Sequence, residues 1–129
     1  MLIFKTRVFH RFARKSGLAD RLLVGAIVDA ERGLVGADLG GGVIKQRVAR
    51  PGGGKSGGFR TIILFRAGDR AVFVYGFAKS ERDNISSEEL AAFPMLATEI
   101  LAYGAGEIAG ALRAGGLIEV SDEGDETAA

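Results

Sequence analysis

Hydrophobic and polar positions alternate weakly over residues 2–8, which predicts a first strand with Lys5 and Arg7 on one side and Phe4 and Thr6 on the other. The period then lengthens. Phe9, Phe12 and Ala13 fall at i, i+3, i+4 and predict a short helix over 9–15, broken by Ser16-Gly17. Leu22, Leu23, Ala26, Ile27 and Ala30 form the apolar stripe of a longer helix over 18–32, which Gly33 stops. Gly25 inside it costs about 1 kcal/mol relative to alanine and is read as room for close packing on a sheet.

From Leu39 the pattern turns strand-like. A glycine-softened basic segment (40–50) leads into a glycine-rich loop (51–58). Two β-branched and aromatic runs follow, 59–66 and 71–79, separated by Ala67-Gly68-Asp69-Arg70; they read as an antiparallel hairpin. Ser86 with Glu89 three residues on fits a capping box, and Leu90, Phe93, Leu96, Ala97, Ile100 and Leu101 keep helical spacing behind it. Pro94 is expected to kink or restart that helix, because it lacks a backbone donor and crowds the preceding turn. Gly104 and Gly106 break it. Residues 107–113 then allow one more short helix, 117–120 an edge strand, and 121–129 an acidic, disordered tail. The order βααβββα plus a tail describes a single α+β domain over residues 1–120.

Composition adds limits. The chain of 129 residues is long enough for one modest core. Its lack of cysteine excludes disulfides and thiolate metal sites. No apolar run approaches the roughly 18 residues of a membrane span. The N-terminal Met1-Leu2-Ile3-Phe4-Lys5 is too soon charged for a signal peptide, so the cytoplasm is the expected compartment.

Charge changes the picture more. The net of +1 conceals residues 1–82 with 16 Lys and Arg against 6 Asp and Glu, a net of +10, and residues 83–129 with 1 against 10, a net of −9. A basic body of this kind suits a polyanionic partner, with the acidic end solubilising the chain or screening that body.

Residues 49–56 satisfy a relaxed phosphate-loop pattern, Ala-Arg-Pro-Gly-Gly-Gly-Lys-Ser. That mechanism needs a helix directly after the loop, whose N-terminal amides hold the phosphates. Here Gly57-Gly58 and a β-branched run follow, so the chain is not read as a nucleotide triphosphatase. Glycine-rich backbone can still cradle an isolated phosphate.

Three segments carry a more specific resemblance: 42–50 (GVIKQRVAR), 54–60 (GKSGGFR) and 76–85 (GFAKSERDNI). In this order and spacing they resemble the RelE/HigB-like toxins of type II toxin–antitoxin systems, within the RelE/ParE superfamily, over residues 2–101. The resemblance implies a small twisted antiparallel sheet packed against N-terminal helices and a C-terminal helix. It further implies ribosome-dependent cleavage of mRNA without metal or cofactor, and neutralisation by a cognate antitoxin, often a helix-turn-helix protein.

In such a reaction the ribose 2′-OH attacks the adjacent phosphate. The protein positions the RNA, stabilises developing negative charge and assists proton transfer. Arg60 matches the family's strand arginine at the scissile phosphate, where a planar, permanently charged fork suits the oxyanion. Lys55 matches the family's loop lysines, and Lys79 and Arg82 stand where the family keeps basic catalytic residues. Lys45, Arg47 and Arg50 fit contacts to RNA backbone, and Tyr75 or Phe77 stacking on bases, although alternation sends at least one of the two rings to the core. Arg82 has a structural alternative, pairing with an acidic neighbour or a helix end. Where some family members carry a tyrosine, this chain has Ser86 or Ser87. Lys55 and Glu81 are then the base candidates, and His10 reads as structural. Two other functions fit the same fold: a non-catalytic RNA- or antitoxin-binding protein, and a ParE-type gyrase-inhibiting toxin.

Overall fold

The computed structural model describes residues 1–50, 58–82 and 84–121. The elements are β1 (Leu2–Thr6), α1 (Arg7–Ser16), α2 (Asp20–Glu31), β2 (Ala37–Gly40), β3 (Val43–Val48), β4 (Phe59–Arg66), β5 (Arg70–Ala78), α3 (Ser87–Ile100), α4 (Ala105–Ala114) and β6 (Leu117–Glu119). They build one sheet in the order β2-β3-β4-β5-β1-β6. Neighbouring strands are antiparallel except β1 and β5, which run parallel. The expected α+β class, with a mostly antiparallel sheet and helices from both ends of the chain, is the one observed.

The boundaries shift for identifiable reasons. β1 ends before Arg7 because Thr6 becomes the N-cap of α1, its hydroxyl accepting from Phe9 N at 3.2 Å. Arg7 therefore leaves the strand, while Lys5 stays on it, buried, and pairs with Asp20 at 3.0 Å. A strand that the pattern missed, β2, pairs with β3 across Gly40-Gly41-Gly42, all three at positive φ. That left-handed turn requires glycine and explains the softened start of the basic segment. α3 begins on the expected capping box and does not restart at Pro94. Phe93 and Ala97, both buried against the sheet, fix the helix on either side of the proline. Gly25 does not serve close packing: a Cβ there would meet nothing within 4 Å. The expected tail beyond Ser121 lies outside the described residues.

Two apolar layers hold the sheet between helices. On one face α1 and α2 bury Phe9, Leu23 and Ile27 against Ile44, Ile63 and Phe73. On the other, α3 and α4 bury Phe93, Ala97 and Ile108 with Val43, Ile62, Leu64 and Val72. Fully burying each of the larger of these side chains contributes about 1.5–3 kcal/mol. No helix among the described residues is long and apolar enough to cross a membrane.

Several cations of the basic body are structural. Arg66 and Arg70, flanking the β4–β5 turn, donate to the carbonyls of Leu101, Ile100 and Tyr103 at the end of α3. Arg7 donates to Ala114 and Gly115 at the end of α4. Helix C-termini carry unpaired carbonyls and partial negative charge, which these guanidinium groups satisfy.

Candidate nucleic-acid interface

The site begins with a β-bulge. β4 and β5 pair as Ile62 with Tyr75 and Ile63 with Phe73, which leaves Val74 as the extra residue. Without it, Tyr75 and Phe77 would point to the α1 side. The bulge turns both rings to the α3 side and puts Gly76 beneath Phe12 of α1 instead.

Beyond the end of α3 this face therefore carries two cross-strand rows: Lys45–Ile62–Tyr75 and Arg47–Arg60–Phe77. Arg60 is only 7% exposed, and its NH1 has no hydrogen-bond partner among the described residues. It opens on a cleft of about 160 Å³ lined by Gly36, Ala37, Lys45, Gln46 and Arg47. Burial, and then the positive charge of Arg47, lower its pKa, yet a guanidinium remains charged at any ordinary pH. No carboxylate lines the cleft among the described residues, and a buried cation facing another cation is costly. A phosphate in the cleft would satisfy both arginines.

Arg82 is arranged differently. Its fork donates to Glu89 from NH2 at 2.7 Å and NH1 at 3.3 Å, to the Tyr75 hydroxyl from NH1 at 2.9 Å, and to the Asn84 carbonyl from Nε at 2.9 Å. Its guanidinium also lies 5.4 Å from the centre of the Phe77 ring. Glu89 is the capping-box residue of α3 and accepts from Ser86 N as well. These donors, Arg82 foremost, hold its pKa down at about 2. Burial, and then its bond to Glu89, push the Tyr75 phenol up. The Tyr75 ring packs near Phe77 and Phe93, with centroids 6.2 and 6.0 Å away, so its hydroxyl end carries its polar contacts.

The remaining predicted residues are spread out. Lys45 joins the cleft and donates to Asn84 Oδ1 at 3.3 Å. Arg50 stands apart, 5.9 Å from the centre of the Phe59 ring, on the α1–α2 side. Lys79 is exposed in the turn after β5, and Glu81 is exposed in the same turn. Lys55 and its loop lie outside the described residues. His10 is on α1, away from the cleft; burial, then Lys5 and Arg14, lower its pKa. Sequence reasoning missed Glu89 and Asn84 as parts of the site. The Ser86–Glu89 spacing showed the cap, but nothing in a periodic pattern links Glu89 back to Arg82 across a turn.

The open sheet face of this α+β domain thus gathers Arg60, whose NH1 is unpaired among the described residues, beside Lys45 and Arg47. The comparison with protein families makes this particular: the family described as "RelE toxin of RelE / RelB toxin-antitoxin system" matches residues 1–120, and the chain belongs to it. Membership makes it the toxin of a toxin–antitoxin pair, with an antitoxin as partner. No curated protein and no solved structure gives a significant match.

Proposed function

We propose that this toxin is a ribosome-dependent mRNA endonuclease that blocks translation in the cytoplasm and is neutralised by a helix-turn-helix antitoxin. The observation that carries this reading is Arg60, buried with its NH1 unpaired among the described residues and opposite Arg47 on an open face. A phosphodiester placed there receives charge-assisted hydrogen bonds as its oxygens gain charge in the transition state. The 2′-hydroxyl gives up its proton to a base as its oxygen attacks phosphorus, the bond to the 5′-oxygen breaks and that oxygen takes up a proton, leaving a 2′,3′-cyclic phosphate and a 5′-hydroxyl, with no metal or cofactor needed. Lys45 and Arg47 position the backbone, and Lys79 and the loop lysine Lys55 add charge. Arg82, held by Glu89, acts by fixing the Tyr75 hydroxyl on the same sheet face.

A binding-only reading has one observation in its favour: Glu89, the carboxylate of the described site, has so low a pKa that it is a weak base. A reconstituted translation assay with primer extension decides between them. Wild-type protein should cut mRNA only when ribosomes are present, and Arg60→Ala should abolish the cuts. Intact mRNA with wild-type protein would overturn the nuclease reading, and a gyrase supercoiling assay would then test the ParE-type alternative.

A further inference from the structure

Three residues that line the Arg60 cleft, Gly36, Gln46 and Arg47, also line a second cavity of about 410 Å³. Asp29, Leu34 and Val35 complete it, where the chain crosses from α2 to β2. The cavity exists because β2 and β3 part early. Their pairing ends at Ala37 and Lys45, and Gly36 bends away. The Gln46 side chain, bonded to Gly36 N and Leu34 O, holds the incoming chain in that position. Backbone groups along β3 face its two neighbours in turn. Gly42 O accepts from Phe65 N, so Ile44 and Gln46 face β4 while Lys45 and Arg47 face the edge. The C=O of Lys45 accordingly lies 2.7 Å from where a Cβ on Gly36 would sit. At Arg47 no strand is left to pair, and its N–H and C=O have no partner among the described residues.

We infer that this edge cavity is a nucleobase subsite, taking the base of the nucleotide whose phosphate lies on Arg60 and Arg47. The N–H and C=O of one strand residue set a donor beside an acceptor, the complement of a base edge such as adenine N7 beside its 6-amino group. Leu34, 63% exposed, and Val35, packed on the core, supply apolar surface for the faces of the ring. The volume is that of a small-molecule site. A peptide adding to the edge would use the same two backbone groups but leave Lys45, Arg47 and Arg60 next door without an anion. A nucleotide uses both compartments. The subsite rests on the Arg60 cleft holding a phosphate; that the nucleotide belongs to mRNA, with its base beside the cut, rests on the proposed function.

The test titrates the full chain with inorganic phosphate and with each of the ribonucleoside 3′-monophosphates, by calorimetry and NMR. At least one nucleotide should bind about tenfold more tightly than phosphate. Its base protons should show nuclear Overhauser contacts to the methyl groups of Leu34 and Val35, and the Arg47 N–H resonance should shift. Leu34→Ser, at an exposed position, should cut the preference about threefold and leave phosphate affinity as it was. Arg60→Met should lose both ligands. In the ribosome assay, wild-type cuts should favour the same base at one fixed position, and Leu34→Ser should relax that preference. Nucleotides that bind no better than phosphate, or base contacts elsewhere on the protein, would overturn the inference and leave Arg60 as a phosphate site. Failure of phosphate and nucleotides alike would remove both. Weaker capture of the cognate antitoxin by Leu34→Ser, with nucleotide affinity unchanged, would overturn it in favour of a peptide added to the edge. Nucleotide binding by a wild-type protein that cuts no mRNA would leave the subsite standing as one for a free nucleotide and remove the nuclease reading.

Discussion

Glu89 grips Arg82 through both carboxylate oxygens, and the same carboxylate caps α3 by accepting from Ser86 N. One side chain thereby ties the turn after β5 to the first turn of α3. Its folded pKa, about 2, lies below its ordinary value of 4.5, so its contribution to stability is present above pH 4.5 and is lost as pH falls towards 2. Glu89→Gln keeps an acceptor for the cap and removes the charge. Melting temperatures measured from pH 6 to pH 2 should show a steeper acid loss for wild type than for the variant. Parallel curves would mean that the pair contributes nothing.

Arg60 should be a residue that function keeps at the expense of stability. Buried opposite Arg47, it loses hydration without gaining a carboxylate among the described residues. Arg60→Met fills similar volume without charge and should raise the melting temperature by a few degrees, on the order of 1 kcal/mol. Inorganic phosphate, binding only the folded state, should raise the wild-type melting temperature more than that of the variant. A destabilised Arg60→Met, or equal phosphate shifts, would contradict an unpaired anion-binding arginine.

Much of this was legible in the sequence, for physical reasons. The stripe through Leu23, Ala26, Ile27 and Ala30 and the Ser86–Glu89 box are local signals, and both elements formed where those signals lay. β2 was missed because Ala37-Asp38-Leu39-Gly40 has no β-branched residue, and its pairing depends on a glycine turn. The site was legible in part. Arg60, Arg47 and Lys45 lie together as their spacing and register require, whereas Arg50 falls on the other face. The orientation of Tyr75 and Phe77 depends on the bulge at Val74, which no alternation in β5 announces.

Gln46 holds the floor beside the cleft. Its side-chain amide donates to Ala26 O at 3.0 Å and Leu34 O at 2.9 Å, and its oxygen accepts from Gly36 N at 2.8 Å. It is 4% exposed, so each partner it leaves has little access to water. Gln46→Leu should cost about 2–4 kcal/mol, the sum of missing hydrogen bonds and stranded backbone groups. Urea denaturation should report this as a lower midpoint with an unchanged slope. Hydrogen exchange should rise first at Gly36. A loss below about 1 kcal/mol would mean that water replaces the amide in the folded state.

Gly76 and Phe12 should be energetically coupled. The bulge presents Gly76 to α1, and a Cβ there would run into the edge of the Phe12 ring. Phe12 cannot retreat freely, because it packs against Phe9 and Phe59 with centroids 5.6 Å from each. Gly76→Ala should therefore destabilise the fold by about 1–3 kcal/mol through overpacking. Phe12→Leu alone should also destabilise, by removing the ring from that aromatic cluster. Combined, the two changes relieve each other's fault, so the double variant should be more stable than the sum of the single effects predicts, by at least about 0.5 kcal/mol. Strict additivity would show that α1 slides to accommodate the methyl group.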